Sequence, residues 1–153
     1  MTTDTWTKFR ASAGYSLAEL LAVLACIAVM IAAAAPGASR LQKEWALWGG
    51  TRLLESSLQW GRMHAISANS PILFEIDGGR QMFFWRDPES GDPYAGTVRN
   101  LPNGLRIAAF PRHSLRFYQH GNAAPAGTYT IEGEAGSYSV VVAPGGRIRI
   151  QRN

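Results

Sequence analysis

The chain has 153 residues, a single-domain length with room for one modest core. Hydrophobic residues make up 46% and charged residues only 17%, below the roughly 25% charged residues usual in soluble domains. This excludes a disordered charged chain, a collagen-like repeat and a multi-span transporter. A single cysteine, Cys26, leaves no disulfide framework and no cysteine metal site.

The apolar residues are concentrated near the start. Leu20 to Ala35 reads LLAVLACIAVMIAAAA, without a charged or strongly polar side chain. Extended back to Tyr15, the run holds only Ser16 and Glu19 as interruptions. As a helix it spans about 31 Å, close to the hydrocarbon thickness of a bilayer. A single transmembrane helix is expected, with Cys26 as a small apolar residue facing lipid or a neighbouring helix. The alternative is a removed secretory signal: the run is longer than a usual signal core, but the small residues AAAAPGAS follow it. Lys8 and Arg10 precede the run and Arg40 and Lys43 follow it, so charge does not set the orientation.

Gly14-Tyr15-Ser16-Leu17-Ala18-Glu19-Leu20 places a glycine before the run and a carboxylate inside it. An acid near hydrocarbon costs on the order of 2.5–3.5 kcal/mol or more, so a compensating group is expected. Ser16-x-x-Glu19 has the pattern of a capping box, in which Glu19 satisfies amides at the helix start and favours its dipole. In a chain cut between Gly14 and Tyr15, the new amine lies one turn from Glu19, within a subunit or between packed helices.

Pro36-Gly37 is expected to loosen the helix. Beyond it, Leu41, Trp45, Trp48, Leu54, Leu58, Gly61 and Ala65 approximate a 3.6-residue stripe over residues 38–68. The tryptophans read as core packing, and Gly49-Gly50 as a weak point in the helix. From Asn69 the pattern turns to strands. Ile72, Phe74 and Ile76 alternate with Leu73, Glu75 and Asp77; Asp77-Gly78-Gly79-Arg80 is a turn, and Gln81 to Trp85 returns as a hairpin. Further strands are expected at 97–101, 104–110, 114–119, 127–132, 137–143 and 147–151, separated by Pro102-Asn103-Gly104, Gly121-Asn122 and Pro144-Gly145-Gly146.

Enzyme chemistry finds little support. His64, His113 and His120 lack metal-ligand spacing, and no nucleophile elbow, phosphate loop or dinucleotide fingerprint is present. No catalytic residue, cofactor or small-molecule substrate is expected. Glu75 and Asp77 share one face of a strand and read as solvated. The loop Asp87–Asp92 offers three carboxylates in a spacing unlike an EF-hand, an ordinary acidic loop in preference to a Ca²⁺ site.

Charge is unevenly placed. Residues 75–92 hold five acids and two arginines; residues 99–153 hold seven arginines and two acids. Arg147 and Arg149 alternate on the last strand opposite Ile148 and Ile150, and Arg152 extends the basic cluster. Guanidinium groups suit phosphate oxygens, so the cluster reads either as a salt-dependent DNA contact or as a basic edge strand. In the second case it blunts pairing or faces a neighbouring subunit's acids.

The junction at Gly14 resembles the class III leader of type IV prepilins and pseudopilins: a short basic leader, glycine before the cut, an aromatic first mature residue (here Tyr15, usually Phe), and Glu19 at the fifth mature position. The rest resembles the GspH/FimT group of minor pilins and pseudopilins through "RLLESSLQWGRMHAISANSPILFEID", "LRFYQHGNAAPAGTYTI" and "SYSVVVAPGGRIRI". The resemblance implies an α+β, type IV pilin-like fold, with a long N-terminal transmembrane helix packed on an antiparallel β-sheet domain. Its parts are a leader (1–14), a membrane half-helix (15–36), an amphipathic half-helix (37–68) and a periplasmic β domain (69–153). It implies cleavage between Gly14 and Tyr15 by prepilin peptidase and methylation of the Tyr15 amine. It further implies docking through Glu19, anchoring in the bacterial inner membrane, and assembly with other pilins into a type IV pilus or a type II secretion pseudopilus. FimT-type members use a Gly-Arg-x-Arg element to bind DNA during uptake, which here falls on Gly146, Arg147 and Arg149.

Overall fold

The computed structural model describes residues 16–153, with the side chains of residues 34–36 left aside. The expected leader and the cut between Gly14 and Tyr15 lie outside the described residues. The chain divides into two compact units, Met1–Ala38 and Ser39–Asn153.

Helix α1 runs Leu17–Ser67 and belongs to both. In the first unit, the Ser16 hydroxyl accepts the Glu19 amide at 3.2 Å, one half of the expected capping box. Glu19 stands in the first turn, where its charge suits the helix dipole. Every large apolar side chain from Leu17 to Ile31 is exposed, as is Cys26. Among the described residues no single helix is long and apolar enough to cross a membrane. Leu17–Ala33 and Gly37–Ser67 meet that length and composition only together, as a bent pair. Their junction includes Pro36, the expected point of loosening.

In the second unit α1 buries Leu47, Thr51, Leu54, Leu58, Gly61 and Ala65, steps of three and four that define one face. The expected stripe drifts from this face at its start: Leu41 is 56% and Trp45 70% exposed. Stepping back from Leu54 at helical spacing reaches Thr51 and Leu47, not Trp48 and Trp45, so apolar character misled where the period did not. The buried Thr51 hydroxyl donates to the Leu47 carbonyl at 2.8 Å. Gly50 is no weak point either: a Cβ there would stand 2.4 Å from Leu105 Cδ1, so its absence lets a strand approach the helix. The helix stops at Asn69 in the left-handed region (φ 49). There the Ser70 amide donates to Ala65 O and the Asn69 amide to Ile66 O, a Schellman closure.

Among the described residues nine strands form two antiparallel sheets. The first comprises β1 (Ile72–Asp77), β2 (Met82–Arg86), β3 (Arg99–Asn100), β5 (Leu115–Phe117) and β6 (Ala123–Ala124), ordered β3-β2-β1-β5-β6. The second comprises β4 (Leu105–Ala109), β7 (Gly127–Gly133), β8 (Gly136–Val142) and β9 (Ile148–Arg152), ordered β4-β7-β8-β9. The β1–β2 hairpin forms as expected, with Asp77 Oδ1 accepting the Gly79 and Arg80 amides. Strand alternation delivers Ile72, Phe74, Phe83, Trp85, Leu115 and Phe117 from the first sheet and Ile107, Tyr129, Ile131, Val140 and Val142 from the second to one core. Trp85 lies over Gly61, where a Cβ would meet its ring at 2.2 Å, and its indole donates to Ser57 Oγ at 3.0 Å.

Candidate interaction surface at the last strand

Two tight turns meet beside α1. In one, the Gly121 amide donates to Tyr118 O at 2.8 Å; in the other, the Gly146 amide donates to Ala143 O at 2.8 Å. Both glycines have positive φ, 77° and 74°. A Cβ on Gly146 would stand 1.8 Å from the Gly121 carbonyl oxygen, so the turns touch backbone to backbone. Arg62, reaching across from α1, donates from Nε to that same oxygen at 3.0 Å. The Ala123 amide donates to Pro144 O at 2.8 Å and ties the two sheets together here. The sequence showed both glycines as strand separators; their contact joins segments 25 positions apart, and no local pattern marks Arg62 as the residue between them.

This junction launches β9. The Ala143 amide donates to Arg147 O at 2.9 Å, so Arg147 closes the turn and the strand begins at Ile148. Ile148, Ile150 and Arg152 stand opposite Val142, Val140 and Tyr138, on the core side. Arg147 and Arg149 project from the other side and are exposed. Arg152 therefore does not join them; its guanidinium lies over the Tyr138 ring, 5.9 Å from the centroid. Arg52, Arg80, Arg86 and Arg106 pair with Glu55, Asp77, Glu75 and Glu132. Among the described residues Arg147 and Arg149 have no carboxylate partner. A groove of about 350 Å³ lies alongside, lined by Gln59, Arg62, Met63 and residues 145–148.

The other sequence candidates serve local structure. Glu75 pairs with Arg86 at 3.2 Å. Asp87 accepts the Glu89 amide at 2.7 Å and shapes its own loop. Burial, and then the Asp87 carboxylate, hold the Tyr94 phenol above its ordinary value. His64 stacks on Trp60 with centroids 4.9 Å apart and meets the edge of Tyr94 at 5.0 Å. Among the described residues no three His, Cys, Asp or Glu side chains are grouped to hold a metal ion.

Residues 50–146 match the family described as type II transport protein GspH. The chain belongs to that family. The match closes at Gly146, so Arg147, Arg149 and Arg152 lie beyond it. The fold of this GspH-family chain is similar to the Pseudomonas aeruginosa type IV minor pilin FimU, at a TM-score of 0.61 and 18% identity over 72% of this chain and 92% of that one. It is also similar to the minor pseudopilin EpsH of the Vibrio cholerae type 2 secretion system, at 0.52 and 18% over 72% and 95%. Among curated proteins none matches the sequence. At such identities the likeness concerns the fold, which is the α+β fold of minor pilins and pseudopilins.

Proposed function

We propose that this chain is a structural subunit, a minor pilin or pseudopilin that prepilin peptidase cuts between Gly14 and Tyr15, with methylation of the new amine. Residues 15–36 hold the uncut and the cut chain in the inner membrane, with residues 69–153 on the periplasmic side. On assembly the apolar half-helix packs among those of other pilins. Glu19 then faces the N-terminal amine of its own or a neighbouring subunit, which offsets the cost of a carboxylate in hydrocarbon. The observation that carries the reading is the pairing of a GspH-type β domain with a helix whose large apolar residues, Leu17 to Ile31, are all exposed around a single acid. The test is the N-terminal mass of the chain from cells with and without prepilin peptidase. The expected result is loss of residues 1–14 only when the peptidase is present. A Glu19→Ala chain should be cut yet missing from sheared filaments. An intact leader in the presence of the peptidase overturns the reading.

A second reading, DNA capture in uptake, is favoured by the exposed Arg147 and Arg149 with no carboxylate partner among the described residues. Titration of residues 39–153 with duplex DNA at several salt concentrations tests it. Binding should weaken linearly in log K against log salt, by close to 0.9 per phosphate contacted, and Arg147→Ala with Arg149→Ala should remove it. No binding at low salt ends this reading.

A further inference from the structure

Of the four sheet edges among the described residues, three are blunted. Strands β3 and β6 have two residues each. Strand β4 carries a register shift between Ile107 and Ala109, a bulge that turns the edge away. The fourth edge, β9, pairs in unbroken register with β8 over five residues and contains no proline. We infer that the outer edge of β9 accepts an added strand from a partner protein, an extended segment with carboxylates at alternate positions.

The ladder fixes which groups are on offer. The Ala143 amide donates to Arg147 O, and the Asn153 amide to Ser137 O at 3.2 Å. By antiparallel alternation Arg149 and Gln151 also turn their amides and carbonyls toward β8. The amides and carbonyls of Ile148, Ile150 and Arg152 therefore point away from the sheet, three donors and three acceptors in a row. The far end of the strand is held in place. The Asn153 amide group donates to Ser139 Oγ at 2.9 Å and Ser137 Oγ at 3.1 Å, and Thr130 and Ser139 share a hydrogen bond of 3.1 Å. At the near end, the Gly121–Gly146 contact fixes the turn. An edge anchored at both ends gives up little conformational freedom when a strand is added.

Charge selects the occupant. Pairing two copies edge to edge gathers Arg147, Arg149 and Arg152 of each along one ladder in which neither strand carries an acid, and this like charge opposes self-association. In an added antiparallel strand, residues facing Arg149 occupy a close non-hydrogen-bonded position, with Cα atoms about 4.5 Å apart. An acid there, and another two positions away facing Arg147, meets two guanidinium groups that have no carboxylate partner among the described residues. The intervening side chains lie on the Ile148 and Ile150 side and are apolar. Backbone pairing supplies affinity and the alternating pattern supplies specificity. The inference rests on the subunit reading for the nature of the partner, another subunit of the same assembly.

The test is residue-resolved amide exchange on the full chain in detergent micelles, with a short capped peptide alternating valine and glutamate as probe. In the free chain, the Ile148, Ile150 and Arg152 amides should exchange freely while Arg149 and Gln151 are protected. The peptide should slow the first three at least tenfold; a valine–lysine peptide should not. Ile150→Pro removes an outward amide at an edge that tolerates proline and should abolish the slowing. Should that variant fail to fold, Arg147→Glu with Arg149→Glu should reverse the preference to the lysine peptide. Protection of the three amides in the free chain, no slowing at saturating peptide, or equal slowing by both peptides overturns the inference. Slowing of these amides by duplex DNA alone does so as well. The measurement needs neither leader cleavage nor a filament, so its failure is separate from failure of the subunit reading.

Discussion

Gly146→Ala is the sharpest test of how the last strand is held. Two penalties act together. At φ 74° an alanine costs about 1–2 kcal/mol relative to glycine. The new Cβ would also stand 1.8 Å from the Gly121 carbonyl oxygen, whereas carbon–oxygen contacts settle near about 3.3 Å. The turns must part by roughly 1.5 Å on that comparison, and both sides of the contact are backbone. Overpacking of this kind costs about 1–3 kcal/mol. The same movement pulls Gly121 O from Arg62 Nε, now 3.0 Å away. The expected loss is about 2–5 kcal/mol in all, a large share of the roughly 5–15 kcal/mol that holds a domain together. Gly145→Ala is the control: its Cβ meets nothing within 4 Å and its φ is not positive, so its effect should stay within about 0.5 kcal/mol. Urea denaturation of residues 39–153, followed by tryptophan fluorescence, measures both, Trp85 being fully buried. A Gly146→Ala midpoint indistinguishable from the Gly145→Ala midpoint refutes the turn-to-turn account.

Other expectations use the same assay. Gly61→Ala gains about 1 kcal/mol of helix propensity, but its Cβ would meet the Trp85 ring at 2.2 Å; a net loss is expected, and a gain would show that the ring yields freely. Leu58→Ala should cost about 2–5 kcal/mol, whereas Trp45→Ala should change stability by less than about 0.5 kcal/mol, since Trp45 is 70% exposed; equal effects would contradict the packed face. Burial raises the Tyr129 phenol above its ordinary 10.0, as burial and Asp87 raise Tyr94. A raised folded value means the contribution is complete below pH 10 and is lost as pH climbs toward the folded values, because the unfolded chain ionises first. The urea midpoint should therefore fall from about pH 10 upward, less steeply in Tyr129→Phe; a flat profile to pH 11 removes the argument.

Much of the fold was legible because period and turn chemistry are local signals. Alternation from Ile72 to Ile76 and the Asp77-Gly78-Gly79 turn gave the first hairpin nearly to the residue. The end of α1 near Asn69 was visible as a change of period. What was missed depends on distance. The split into two sheets is set by which edges pair, and β6, only two residues long and ending just before Pro125, has no alternation to read. Trp45 looked like core because tryptophan is apolar, yet the buried face is completed by Thr51, a polar residue whose hydroxyl satisfies a carbonyl of its own helix. Gly50 read as a weak point and Gly61 as part of the packed stripe; in three dimensions Leu105 and Trp85 occupy the space that their missing Cβ atoms leave, which no local pattern shows.

The same contrast runs through the last strand. Its alternation was plain in the sequence, and its arginines were visible as a group of three. The structure separates them: Arg147 and Arg149 face outward, and Arg152 turns back over Tyr138. Gly146 and Arg147 are adjacent in sequence but answer to different constraints. The glycine is fixed by its contact with Gly121, so its replacement acts on stability whether or not anything binds. The arginines touch no acid among the described residues, so their replacement should leave the urea midpoint unchanged and act only on what docks. A Gly-Arg pair at this place is therefore not by itself a binding motif. Its first residue belongs to the fold, and only the second and the residue two beyond it, Arg149, are available to a partner.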